Sequence, residues 1–258
     1  MIGDIWAWLT TSAHWTGADG IWQRTLEHVE YTLIAVAVAA VIALPIGALI
    51  GHTGRGTGLV AGTANALRAL PSLGLLVMLA LWALGHLPVG IALQTASIAV
   101  LALLAIPPML TSTYAGVAAV DPAARDAAEG MGMSGGQVLL RVELPIAVPL
   151  LFSGLRSAYL QAVATATIAA FVSLGGLGRY VIDGLAQHDY PKMAGGALLV
   201  AVLAVVGDRI LAVVGHFAAS AGLTSRRRLW AKTAPYRSSY PAASLSETQP
   251  EVVNAARQ

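Results

Sequence analysis

Five long apolar runs constrain this 258-residue chain more than any other feature. They extend over about 28–50, 59–84, 87–114, 146–174 and 193–219. Each supplies the ~20 mainly apolar residues a helix needs to cross a bilayer. Transmembrane β-strands would instead be ten-residue segments of alternating polarity, so a barrel is excluded. Charged residues are only 11% of the chain, against about a quarter in an average soluble domain. That is too little charge to coat a water-facing surface, which excludes an ordinary soluble enzyme, a disordered regulator and a nucleic-acid binder. The sequence pI is near 9.1, but the formal net charge is only +2 and lies in a few clusters rather than along a binding stripe. The expected fold is an all-α membrane protein of about five transmembrane helices. Pro45 and Pro107-Pro108 fall inside two of the runs, where neighbouring helices can satisfy the freed backbone groups.

Residues 1–27 are moderately polar and lack the basic region and cleavage site of a signal peptide. Trp6, Trp8, Trp15 and Trp22 suit an N-terminal helix lying at the membrane interface, with packing against neighbouring helices as the alternative. The transmembrane domain is expected over 28–219. The segment 220–258 is rich in Ser, Ala and Pro and reads as a disordered tail, with Arg226, Arg227 and Arg228 anchored at anionic headgroups.

Lys and Arg set the orientation. With the N-terminus outside, the inner segments hold Arg55, Arg68, Arg125, Arg141, Arg226, Arg227, Arg228, Lys232, Arg237 and Arg257. The outer segments hold only Arg24, Arg179 and Lys192. The C-terminus and the stretch 121–145 are then cytoplasmic.

That stretch is the one long polar segment between spans. Asp121 is a good helix N-cap, and Pro122 suits the first helical position. Ala123 to Glu129 favour a helix that Gly130 would end. Ser134 and Gln137 make a capping box for a second helix reaching about Val142, with Pro145 as its breaker. Two short capped helices with Met131 and Met133 exposed form a projection suited to a partner's groove; a plain connector is the alternative. Gly130-x-Gly132-x-x-Gly135 matches a dinucleotide fingerprint in form only, since a helix rather than a strand precedes it. No Gly-x-x-x-x-Gly-Lys loop for ATP occurs in the chain.

The stretch resembles the EAA motif of ABC importer permeases. Asp126-Ala127-Ala128, then Gly132, then Val142-x-Leu144-Pro145 keeps that motif's spacing, with Asp for Glu and Val for Ile. The wider chain is similar to permeases of the glycine betaine/proline/choline osmoprotectant type. The stretches that carry this are Leu70-Pro71-Ser72-Leu73-Gly74, Val120-Asp121-Pro122-Ala123 and Gly175-Gly176-Leu177-Gly178. The resemblance implies a MetI-like ABC type I importer permease fold in a bacterial inner membrane, and a non-enzymatic subunit that binds no cofactor itself. ATP and Mg2+ would sit on a separate cytoplasmic ATPase, coupled through Asp126, Ala127, Ala128, Glu129, Gly132, Met133, Leu144 and Pro145. A second permease subunit, identical or paralogous, and an extracytoplasmic substrate-binding protein would complete the assembly, with lipid around it and no nucleic acid.

Polar residues inside the spans are the remaining functional candidates. Gln94, Ser97, Gln161, Thr165 and Thr167 are neutral groups suited to passing a zwitterion. Asn65, Thr95 and Arg68 also fall within runs. Arg156 can snorkel or face a cavity, and Asp208 is expected to face the bundle interior. The six histidines, His14, His28, His52, His86, His188 and His216, show no metal spacing and read as solvated residues near span ends. Cysteine is absent, which rules out thiolate chemistry. A stand-alone secondary transporter is the competing reading; it would require an intramembrane charge relay and usually internal repeats. An intramembrane enzyme would need a catalytic constellation, and the sequence holds none.

Overall fold

The computed structural model describes residues 2–58, 62, 66, 67, 69–172 and 174–219. Asn65, Arg68 and the tail with its Arg226–Arg228 run lie outside the described residues. Among the described residues all regular structure is helical. In chain order the helices are α1 (Ile2–Thr10), α2 (Ile21–Thr53), α3 (Ser72–His86), α4 (Val89–Ala118), α5 (Pro122–Gly130), α6 (Gly135–Val172), α7 (Gly178–Gln187) and α8 (Tyr190–Ala218).

Four of these, α2, α4, α6 and α8, are long and apolar enough to cross a membrane. The run at 59–84 differs from a single long span. Pro71 disfavours helical geometry at the residue before it, and α3 starts at Ser72 with Pro71 as its N-cap. Its 15 residues reach about 22 Å, short of a ~30 Å hydrocarbon core. The first span begins earlier than its apolar run, at Ile21. Its polar first turns are satisfied locally: Arg24 pairs with Asp19 and with Glu27, and Glu27 Oε2 accepts the Gly176 N–H at 2.9 Å. Residues 21–27 therefore belong to the bundle rather than to the N-terminal segment. The tryptophans differ in their surroundings. Trp6 and Trp22 are exposed, whereas Trp8 packs onto Gly195 of α8 and edge-on to Tyr180.

Small residues let α2, α4 and α6 approach closely. Ala35, Ala39, Ala43, Ala105, Ala158 and Ala162 are fully buried between them. A Cβ on Gly51 would lie 2.7 Å from the Val117 Cβ, and one on Gly154 would lie 2.6 Å from the Ser112 Cβ. Helix α8 packs on this unit through Gly207, set against the Tyr159 ring, whose hydroxyl donates to the Leu203 carbonyl at 2.9 Å. Its other face carries exposed Val202, Val205, Ile210, Val213 and Phe217, as a lipid-facing surface requires.

Candidate functional site

The polar loop forms as its caps predict. Asp121 Oδ1 accepts the Ala123 N–H at 2.9 Å at the start of α5, with Pro122 in the first turn. The Ser134–Gln137 capping box starts α6. Between them the Met133 N–H bonds the Ala128 carbonyl and the Gly132 N–H bonds the Glu129 carbonyl. These two bonds are the Schellman pattern that closes a helix end, and it needs a left-handed residue. Gly132 supplies it with φ +87°, while Gly130 remains helical. The four-residue step from Ala128 to Gly132 is therefore a property of backbone geometry.

One expectation fails here: Pro145 does not end the second helix. Residues Leu139–Glu143 form a π-helical turn, the Leu144 N–H reaches back to the Leu139 carbonyl, and the helix continues from Leu144 to Ala169. The wider turn shifts the bonding register just where Pro145 lacks an N–H, so the chain passes through without a break.

Asp126, Ala127 and Glu129 are exposed on α5, and Met131 is 73% exposed at its tip. Ala128 is buried, and Met133 is half-buried. Leu144 packs with Ala48 and Val117 on the ends of α2 and α4, while Pro145 is exposed. The projection thus offers one polar face and an apolar tip on a firmly seated base.

Beneath it is a group the sequence does not reveal. The Glu143 side chain is fully buried. Its Oε2 meets His52 Nδ1 at 2.8 Å and its Oε1 meets Arg125 Nε at 2.8 Å. The Arg125 contact is a close ion pair whose N–H points off the oxygen, so both atoms lack a directed hydrogen bond. Arg125 Nη2 also donates to the Val117 carbonyl at 2.6 Å. His52 and Glu143 are 91 residues apart, so local spacing carried no signal for the pairing.

The in-span polar candidates fall in different settings. Gln161 lines a cavity of about 430 Å³ with Leu70, Ser72, Leu104, Pro107 and Ser157, between α3, α4 and α6. Gln94 is exposed. Ser97 is fully buried and its hydroxyl has no hydrogen-bond partner. Thr165 and Thr167 donate to carbonyls of their own helix, those of Gln161 and Val163. Asp208 accepts a two-pronged bond from Arg156, at 2.7 Å from Nε and 2.8 Å from Nη2. Two histidines depart from the solvated reading. His28 is 1% exposed with Nε2 3.2 Å from the Val163 carbonyl, and His52 is tied to Glu143. Among the described residues no cluster of His, Asp and Glu could hold a metal ion.

Comparison with known proteins gives the family and the fold. Residues 43–218 match the family model described as the binding-protein-dependent transport system inner membrane component. The chain is 32% identical over 215 residues to the choline transport system permease protein OpuBB of Bacillus subtilis, covering 83% of this chain and 95% of that protein. It is 35% identical over 190 residues to the osmoprotectant import permease protein OsmW of Salmonella typhimurium, covering 72% and 86%. Its fold is similar to a chain of the inward-facing MetNI methionine ABC transporter, with a TM-score of 0.67 at 20% identity over 78% of this chain and 96% of that one.

Proposed function

The chain belongs to the family of inner membrane components of binding-protein-dependent transport systems and is the permease component of an ABC importer, and from that premise we propose that it moves a small zwitterionic or quaternary-ammonium osmoprotectant under the drive of a separate ATPase. The named solutes of its relatives, choline and osmoprotectants, support the substrate class. The loop at 121–145 is the coupling element, and the chain works as one half of a permease dimer fed by an extracytoplasmic binding protein. The N-terminus is outside and the loop is cytoplasmic, by the excess of Lys and Arg at that end.

The single observation behind the coupling reading is the shape of α5. It is a short helix capped at both ends, exposed along Asp126, Ala127 and Glu129, and set on a packed base. A free helix of nine residues would fray in water; this one is held in a form that can seat in a cleft and transmit displacement. Asp126, Ala127, Glu129 and Met133 contact the ATPase, Ala128 and Gly132 set the shape, and Leu144 and Pro145 join it to α6. Gln161, at the Ser72–Ser157 cavity, contacts the solute on its way; a neutral amide and hydroxyls give a zwitterion partners it can leave. The remaining polar candidates, Gln94, Ser97, Thr165 and Thr167, belong to the same pathway set.

Asp208 is engaged by Arg156. This disfavours a stand-alone secondary transporter, which would need such a carboxylate free to relay a proton.

The test is ATP-driven uptake of labelled glycine betaine or choline into proteoliposomes holding this chain, its ATPase and its binding protein. Gly132→Asp places a side chain on a left-handed residue and a charge at the tip. It should insert normally and lose ATPase binding. Normal uptake by that variant would refute the coupling role.

A further inference from the structure

The mechanism above uses the exposed face of the loop and leaves unexplained the buried charge beneath it. A fully desolvated carboxylate is costly unless its partners compensate. In a loop whose only task was to present a surface, an apolar residue would fill that position at lower cost. The partners of Glu143 come from separate elements. His52 is at the cytoplasmic end of α2, and Arg125 is in α5. Arg125 in turn donates to the Val117 carbonyl near the end of α4. The His52 ring also closes over α6, with Nε2 3.3 Å from where a Cβ on Gly135 would lie. Glu143 itself closes the π-helical turn of α6. One carboxylate thus joins the projecting helix to the ends of α2, α4 and α6. Between α5 and the long helices the chain is thin: a turn through Ala119–Asp121 on one side and Met131–Ser134 on the other. Backbone alone would let α5 swivel on these two strands of chain.

We propose that Glu143 is a positioning residue, fastening α5 to the ends of α2, α4 and α6 so that displacement of α5 is passed to the bundle as rigid-body motion. This rests on the coupling reading and adds the part that transmits force. Because Glu143 is out of reach of a partner's surface, losing its charge should leave docking intact while loosening the joint.

The experiment uses the complete complex in proteoliposomes and reads three quantities: ATPase co-purification, ATP hydrolysis, and solute taken up per ATP. Glu143→Gln and Arg125→Gln should co-purify with the ATPase like the parent chain and hydrolyse ATP, with uptake per ATP lower by about tenfold. Arg125→Lys keeps the charge and should recover most of the uptake. The double variant Glu143→Gln/Arg125→Gln should be no worse than either single one, since both break the same joint. If Glu143→Gln fails to insert, half-exposed Arg125→Gln and His52→Gln carry the test alone. Unchanged uptake per ATP in the single variants would overturn the proposal. So would loss of ATPase binding in proportion to uptake, since the residue would then only shape the docking surface. If the parent chain itself brings down no ATPase, the coupling reading fails instead, and that result is separate from any variant.

Discussion

Removing one member of the Arg156–Asp208 pair should harm the protein more than removing both. Arg156 is 12 residues past Leu144, and Asp208 is 10 residues before Ala218. Leu144 opens the part of α6 that follows the π-helical turn and Ala218 closes α8, so at 1.5 Å per residue both groups sit about 15–18 Å inside these apolar segments, close to the middle of a ~30 Å hydrocarbon core. The guanidinium and carboxylate meet through two bonds, at 2.7 and 2.8 Å, the geometry in which a charge pair is strongest. An unpaired Arg or Asp at mid-membrane costs about 2.5–3.5 kcal/mol on insertion scales. Asp208→Leu and Arg156→Leu should therefore each destabilise by about 3 kcal/mol. Arg156→Leu/Asp208→Leu leaves no charge behind, and the cost should fall to about 1 kcal/mol or less. The coupling energy is then about 5 kcal/mol, beyond the few tenths by which independent sites depart from additivity. Reversible unfolding in mixed micelles measures all three variants. Single-variant losses that simply add in the double variant would refute the pairing and the depth assigned to it.

Two further outcomes follow from the packing at α3 and α7. A Cβ on Gly178 would lie 2.3 Å from the Thr167 carbonyl oxygen and 2.8 Å from its Cα, backbone atoms that cannot yield, so Gly178→Ala should cost about 1–3 kcal/mol. Gly85→Ala in α3, where a Cβ meets nothing within 4 Å, should be neutral or stabilising by up to about 1 kcal/mol in thermal melts of the purified chain; equal losses at the two glycines would contradict the packing. Tyr180 donates to the Asp19 carbonyl at 2.5 Å, and burial pushes its phenol up to about 12 from the usual value near 10. The folded form thus keeps its proton longer than the unfolded chain, so this contribution is complete below pH about 10 and is lost as pH rises toward 12. Tyr180→Phe should lower stability by about 1 kcal/mol at neutral pH and flatten the decline above pH 10; an unchanged alkaline slope would refute the shift.

What could be read from the residues, and what could not, follows the range of the forces involved. Asp121-Pro122 and Ser134–Gln137 act over two or three residues, and the structure closes both caps as the sequence implies. The spans were legible because hydrophobic length is a sum over neighbours. Where two local rules met, the weaker one was harder to see. Pro145 is a breaker by itself, and only the π-helical turn before it explains why the helix continues. Pro71 has no such relief, and α3 starts anew after it. The pairings that remained hidden are all long-range. Arg156 and Asp208 are 52 residues apart, and His52 and Glu143 are 91 apart. Nothing in the local pattern around Val142 and Leu144 marks Glu143, because burial at a junction of four helices leaves no periodic trace. Histidine near a span end reads as solvated on composition, and His28 and His52 escape that rule because a carbonyl and a carboxylate face them across the bundle.

The central claim is that a partner ATPase seats on the tip of α5. The chain contains no cysteine, so a single introduced thiol reports one position. Met131→Cys, at a site 73% exposed on that tip, and Ile2→Cys, 85% exposed in the N-terminal helix, can each be treated with a short thiol-to-amine crosslinker in membranes that hold the transporting complex. Crosslinking of the ATPase from position 131 and none from position 2 is the expected result. A transporting complex in which position 131 never crosslinks to the ATPase, or position 2 does, would contradict the account.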